Sequence, residues 1–324
     1  MKKKSESGLT SSQKSVPFYN DADLRLNDKS RYYYAAETSM LIDDVQLLVL
    51  RIPKRAKEGY EIKLSASDPR VEALIINAIE SRYGRNELTH SVYEFSKQCA
   101  GVLIAYGQAA YEIVYLSTSD GKIDSFRLSP IAPSGFIAKK GKFQQYQVTP
   151  IADGTKLRKQ LVDLPADSVL LFELPENVRA GHDQMMQSLA FAGENFIPEF
   201  ALPNMVKPTV PFSLDDFSLS RNIAVAKATQ QIGWNARNYG TEYRFEHYVW
   251  HRQLIFYKFL CNLREGILRT LNEGLTRVGE RMGFRAELSF ENLPSADDVD
   301  AALKKLHDGD LKTFSEVLDP FRSS

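Results

Sequence analysis

One stretch restricts this chain more than any other: residues 241–282, which read as a single helix. Phe245, Val249, Phe256, Leu260, Leu263, Ile267, Leu271, Leu275, Val278 and Met282 follow one another mostly at three- and four-residue steps. That spacing draws one apolar stripe along a helix. Trp250, Leu254, Tyr257 and Leu268 add apolar surface on neighbouring faces, so the helix must pack on more than one side. No proline interrupts it, and Gly283 stands where a C-terminal stop is needed. At the rise of an α-helix the rod is roughly 60 Å long, about twice the span of a small domain. Gly266, Gly274 and Gly279 weaken it locally and predict a bend.

The rest of the chain has to accommodate that rod. Its 324 residues suffice for one elaborate domain or two ordinary ones. A hydrophobic content of 43% and a charged content of 25% are those of a soluble globular protein. Lys+Arg and Asp+Glu number 41 each, which argues against a protein that coats nucleic acid by bulk charge. Any DNA contact is therefore loose or confined to a local patch. Cys99 and Cys261 lie on apolar segments without CxxC or Cys/His spacing and read as two buried thiols in a reducing compartment. No run approaches the apolar length of a membrane span. The opening MKKKSESGLTSSQKS has a basic start but no apolar core, so residues 1–29 are expected to form a disordered arm rather than a secretory signal.

From Tyr32 to Ser67 short apolar runs alternate with turn formers; the run Met40 to Val49 is broken by Asp43 and Asp44. Asp68-Pro69 ahead of Val71, Leu74, Ile75 and Ile79 reads as a capped helix start. A second helix carries Tyr93, Phe95, Cys99 and Val102 to Ile104 and ends near Tyr106-Gly107. Ala110 to Leu116 and Ile123 to Leu128 flank Asp120-Gly121, a hairpin signal. Ile137 to Val148, Leu157 to Leu164 and Val169 to Leu174 read as further strands. His182 to Leu202 looks helical, with a kink or early end at Pro198. The three prolines of residues 203–211 favour an extended connector. Asp215 and Asp216 supply caps for a helix from about Phe217 to Trp234, and a break precedes the long helix. Phe284 to Phe290 alternates as a strand, Ser295 caps a helix through Leu306, and Gly309 stops it. The expected class is α+β, with a helical projection inserted between two parts of one globular region.

The usual catalytic motifs are missing. Gly135 to Gly141-Lys142 has the wrong gap for a phosphate-binding loop, and Phe143 stands where Ser or Thr is needed; a β-turn with a surface lysine fits better. There is no GxGxxG, GxSxG or HExxH. His247 and His251 are one helical turn apart, but no other segment offers obvious further metal ligands, so no metal or cofactor is expected. The pairs Asp43-Asp44, Asp215-Asp216 and Asp297-Asp298 sit at turns or caps. Between Phe217 and Gly240 stand Arg221, Lys227 and Arg237 and no acid, a mildly basic face that could line a passage for a polyanion.

Residues 105–115 (AYGQAAYEIVY), Asp120-Gly-Lys-Ile123 and Leu128-Ser-Pro-Ile-Ala-Pro133 resemble portal proteins of tailed bacteriophages. In that family a helix ends in a similar Tyr-Gly segment, a hairpin turns at Asp-Gly, and a Pro-bounded strand follows. Ser168 to Leu174 occupies the place of the family's next strand, and Leu306 to Glu316 looks like the ending of its core. The resemblance implies an α/β wing (30–178), stem helices with a short clip and a tunnel loop (179–241; clip about 203–214, loop about 234–241), and a long kinked helix with the C-terminal wing part (242–324). The clip is very short, and the crown helices of larger portals have no counterpart in these residues.

The resemblance also implies a non-enzymatic ring, typically of twelve subunits, at one capsid vertex, assembled in the host cytoplasm and carried in the virion. Double-stranded DNA passes through its centre during packaging and ejection; its partners are further copies of itself, terminase, the major capsid protein and neck or tail adaptor proteins, with no membrane. On this reading Arg221, Lys227 and Arg237 approach the channel, and Phe256, Leu260, Leu263 and Ile267 on the doubly apolar helix join neighbouring subunits. Two alternatives are an enzyme acting on nucleic acid through a divalent metal at Asp43, Asp44, His247 and His251, and a helical adaptor or scaffold that binds proteins only.

Overall fold

The computed structural model describes residues 36–50, 60–79, 87–150, 157–195, 214–236 and 246–322. The N-terminal arm, nearly all of the clip, Arg237 and most of the tunnel loop lie outside the described residues. The class is α+β.

The long helix, α7, is described from Glu246 to Met282, 37 residues, and runs unbroken through all three glycines. Its length is roughly 55 Å. Gly274 has a steric purpose: the side chain of Leu170, on a strand crossing the helix, occupies the space a Cβ would need. α7 packs on two sides, as its apolar positions require. Phe256, Phe259, Leu260, Leu263, Ile267, Leu271, Leu275 and Val278 enter the main core. Trp250, Leu254 and Cys261 meet a smaller cluster supplied by α8 (Ala296–His307) and α9 (Phe314–Arg322). Ser295 starts α8 with a capping box, its hydroxyl accepting from the Asp298 N–H at 3.2 Å.

Among the described residues the strands form three small antiparallel sheets. β1 (Glu61–Ala66) pairs with β8 (Ala286–Glu291), Leu64 opposite Leu288, so the chain returns after α7 to an early strand. β2 (Gln108–Ser117) lies between β3 (Ile123–Ile131) and β7 (Val169–Glu173). Its odd-numbered face enters the main core beside α3 (Leu88–Tyr106), where Tyr111 packs tilted against Phe95 and edge-on against Phe172 at centroid distances of 4.9 and 5.5 Å. Its even-numbered face contributes Ala110 to a separate cluster with Ile131, Phe136, Leu164 and Val169. That cluster joins it to the third sheet, β4 (Phe136–Lys139), β5 (Lys142–Pro150) and β6 (Leu157–Leu164).

Two elements differ from the sequence reading. Ile137 to Val148 is not one strand but the β4–β5 hairpin: Lys140 (φ 50°) and Gly141 (φ 74°) both adopt positive φ, the twist-matched two-residue turn. The run around Asp43-Asp44 is a helix, α1 (Ala36–Leu48). Asp43 faces solvent, while buried Asp44 accepts the indole N–H of Trp234 at 2.9 Å. The remaining helices are α2 (Val71–Ala78), α4 (Glu176–Arg179), α5 (His182–Asn195) and α6 (Leu214–Ala228). Met185 and Leu189 of α5 and Val225 of α6 are buried in the main core, so both helices are rooted in it.

Candidate functional site

The portal resemblance would place channel and subunit contacts around α5, α6 and the start of α7. A polar network fixes their root. After α6 the chain turns through residues 229–236, and Trp234 is fully buried. Arg252, itself buried on the first turns of α7, donates to the Trp234 carbonyl at 2.6 Å, to the Thr229 hydroxyl at 3.0 Å and to the Ala226 carbonyl at 3.2 Å. The Thr229 hydroxyl also lies 2.8 Å from the Val225 carbonyl. His182, at the start of α5, holds the Ile104 carbonyl of α3 at 2.6 Å through Nε2. Apart from the Thr229 hydroxyl, the partners are backbone carbonyls near helix ends and the turn.

Arg221 is not a free cation for DNA. Its Nε donates to Glu37 Oε1 at 2.7 Å, and Glu37 is buried on α1. The ion pair ties α6 to α1 and neutralises the charge expected to face the channel. Lys227 is exposed and has no ion-pair partner among the described residues. Arg237 lies outside them.

Phe256, Leu260, Leu263 and Ile267 also need correcting as interface residues. They are between 1 and 7% exposed in the single chain, inside its own main core, and have no surface to offer a neighbour. The stripe had marked a face that must be buried, and the chain buries it itself. Exposed apolar side chains lie elsewhere: Phe191 on α5 (64% exposed) and Leu219 and Ile223 on α6. Leu219 and Ile223 are spaced i, i+4, a second apolar line on α6 that was legible as spacing but passed over beside the basic residues. His247 and His251 are exposed, and His247 packs on Trp250 at 5.2 Å. Among the described residues, no three His, Cys, Asp or Glu side chains gather as metal ligands. No helix there is long and apolar enough to cross a membrane.

One buried acid was not anticipated. Glu112, 2% exposed on β2, has a carboxylate oxygen with no hydrogen-bond partner among the described residues, and burial pushes its pKa from 4.5 up to about 7. The sign follows by linkage. Between those two values the unfolded chain releases the proton first, so stability falls as pH rises, and the penalty is complete above the folded value. It is on the order of 3 kcal/mol. The Glu112→Gln variant is expected to melt roughly 5 °C higher than the wild type at pH 8 and about equally at pH 4.5. Melting curves at the two pH values check this; an equal difference at both would rule out the carboxylate charge as the cause.

No protein-family model matches the chain, and no curated protein matches it. Among solved structures it is similar to a chain in the virion of a native gene transfer agent (GTA) particle. The match covers 92% of this chain and 94% of that chain, at 10% sequence identity and a TM-score of 0.50. At that identity the likeness is one of fold.

Proposed function

We propose that this chain is a portal-type subunit. Copies close into a ring, typically of twelve, at one vertex of a virion capsid, and double-stranded DNA passes through the central hole during packaging and ejection. Terminase docks on the ring for packaging, and neck or tail adaptor proteins dock afterwards; the surrounding shell is the major capsid protein. The subunit carries no catalytic step, the motor activity belonging to the terminase.

The observation that carries this reading is the order of elements over nearly the whole chain. Small sheets lead into α5, a connector, α6, a second connector and the long α7, and the chain then returns to pair β8 with β1. The portal resemblance implies that succession, and the fold likeness to a chain of a gene transfer agent virion extends over the same length. Phe191, Leu219 and Ile223 offer apolar surface on the two helices that flank the clip segment. Lys227 is the channel-facing candidate. With Arg221 neutralised by Glu37, a near-neutral chain suits a passage through which DNA must slide, since many phosphate contacts would hold it.

Electron micrographs of the purified protein are expected to show closed rings with a central hole. A monodisperse monomer at micromolar concentration would refute the reading.

A further inference from the structure

Arg264, Leu268 and Asn272 form one row along α7 and face β8 across a groove of about 680 Å³. Leu268, Leu288, Phe290 and Leu293 give it an apolar lining. The free edge of β8 is not open for strand addition. Asn272 donates its side-chain amide to the Leu288 carbonyl at 2.9 Å and accepts from the Leu288 N–H at 2.8 Å, closing the middle of that edge.

Arg264 is 7% exposed and has no hydrogen-bond or ion-pair partner among the described residues. Its burial lowers its pKa, and the nearby Tyr60 hydroxyl, also buried, has no partner there either. The Arg264 guanidinium, largely buried, can donate only to water in the groove, and the group that would serve it better is an acceptor, best a carboxylate. The rim says which molecule brings it. Glu265, Glu273 and Glu287 are exposed there against the single exposed Arg269. A phosphate or nucleic acid would meet those three carboxylates before it reached Arg264. A protein surface that is basic around a single acid would not be repelled.

This chain carries such a surface on its third sheet. Tyr146 and Leu161 are opposite each other on β5 and β6, both exposed and apolar. On the same face, one pair further along, Gln144 holds the exposed carboxylate of Asp163 at 2.7 Å. Beyond them the β4–β5 turn carries Lys139, Lys140 and Lys142, all exposed and without ion-pair partners among the described residues.

We propose that the outer face of the β4–β6 sheet of one copy docks in the α7–β8 groove of the next, with Asp163 pairing with Arg264. Tyr146 and Leu161 cover the apolar lining, and the three lysines meet the three rim glutamates. The two faces are different, so the contact is head-to-tail and closes into a ring when its rotation allows. This inference rests on the ring reading and names its joint.

The test uses the full chain carrying Asp163→Lys, an exposed position, and separately Arg264→Met. Each is expected to raise the subunit concentration at which half the protein is in rings by about thirtyfold or more. Because Arg264 has no hydrogen-bond or ion-pair partner among the described residues, Arg264→Met should leave the monomer's melting midpoint unchanged or higher. Asp163→Asn should weaken wild-type rings yet add little in the Arg264→Met background, since paired residues are not additive. Rings of either single variant at wild-type concentration overturn the contact while leaving the ring reading standing. A lower monomer midpoint for Arg264→Met overturns it too, because the acceptor would then lie within the chain. If the wild type forms no rings, the ring reading fails first and this joint with it.

Discussion

Gly233→Ala is expected to destabilise the chain by about 4 kcal/mol and lower its melting midpoint by roughly 6 °C, a large effect for one added methyl. Two costs coincide at this position. Gly233 has φ +72°, where an L side chain is strained. A Cβ there would also overlap the Arg252 carbonyl oxygen and lie 2.8 Å from both the Ile255 Cβ and the Phe256 nitrogen. Two of those atoms are backbone of α7, locked by the helix, so relief means moving the turn off the helix and pulling Trp234 from its pocket. Gly121 provides the control: it has φ +78° but nothing within 4 Å of the added Cβ. Gly121→Ala should therefore cost only the conformational strain, about 1 kcal/mol. Equal losses at the two glycines, measured by thermal or urea unfolding, would show that the packing of the turn on α7 contributes nothing.

How much of this the sequence disclosed depended on whether the cause was local. The span of α7 was legible because its apolar spacing is a property of consecutive residues, and the capping box at Ser295 because its partners are three residues apart. α1 was missed because Asp44 looks like a break until Trp234, distant in sequence, supplies its donor. The β-turn expected between Gly135 and Lys142 is there, at Lys140-Gly141, but the strand reading of Ile137 to Val148 ran across it because Lys140-Gly141 lacks the Asn or Asp that marks hairpin turns. The candidate site was less legible still. Periodicity along α7 says that a face is covered and cannot say whether its own chain or a neighbour covers it; Phe256, Leu260, Leu263 and Ile267 went the first way. A count of basic residues on α6 does not register that Arg221 is already paired with Glu37 on α1.

Arg252→Met is expected to cost about 3–5 kcal/mol, and it separates two physical situations that look alike in sequence. Arg252 and Arg264 lie on the same helix, both at least nine-tenths buried. Arg252 donates to three carbonyls and a hydroxyl around the turn between α6 and α7, so its removal takes a donor from buried acceptors at Ala226, Thr229 and Trp234. Arg264 donates to nothing among the described residues, and its removal strands no protein acceptor while lifting the cost of a largely buried charge. The same replacement should therefore lower the monomer's midpoint at 252 and leave it level or raise it at 264. Arg252→Lys keeps the charge but reaches fewer acceptors than the guanidinium fork, and should recover only part of the loss. The variants are compared by unfolding of the monomer at one pH, with ring formation scored separately. A neutral Arg252→Met would mean that the turn is held by the packing of Trp234 alone, and the polar network would then not explain how the turn after α6 is held on α7.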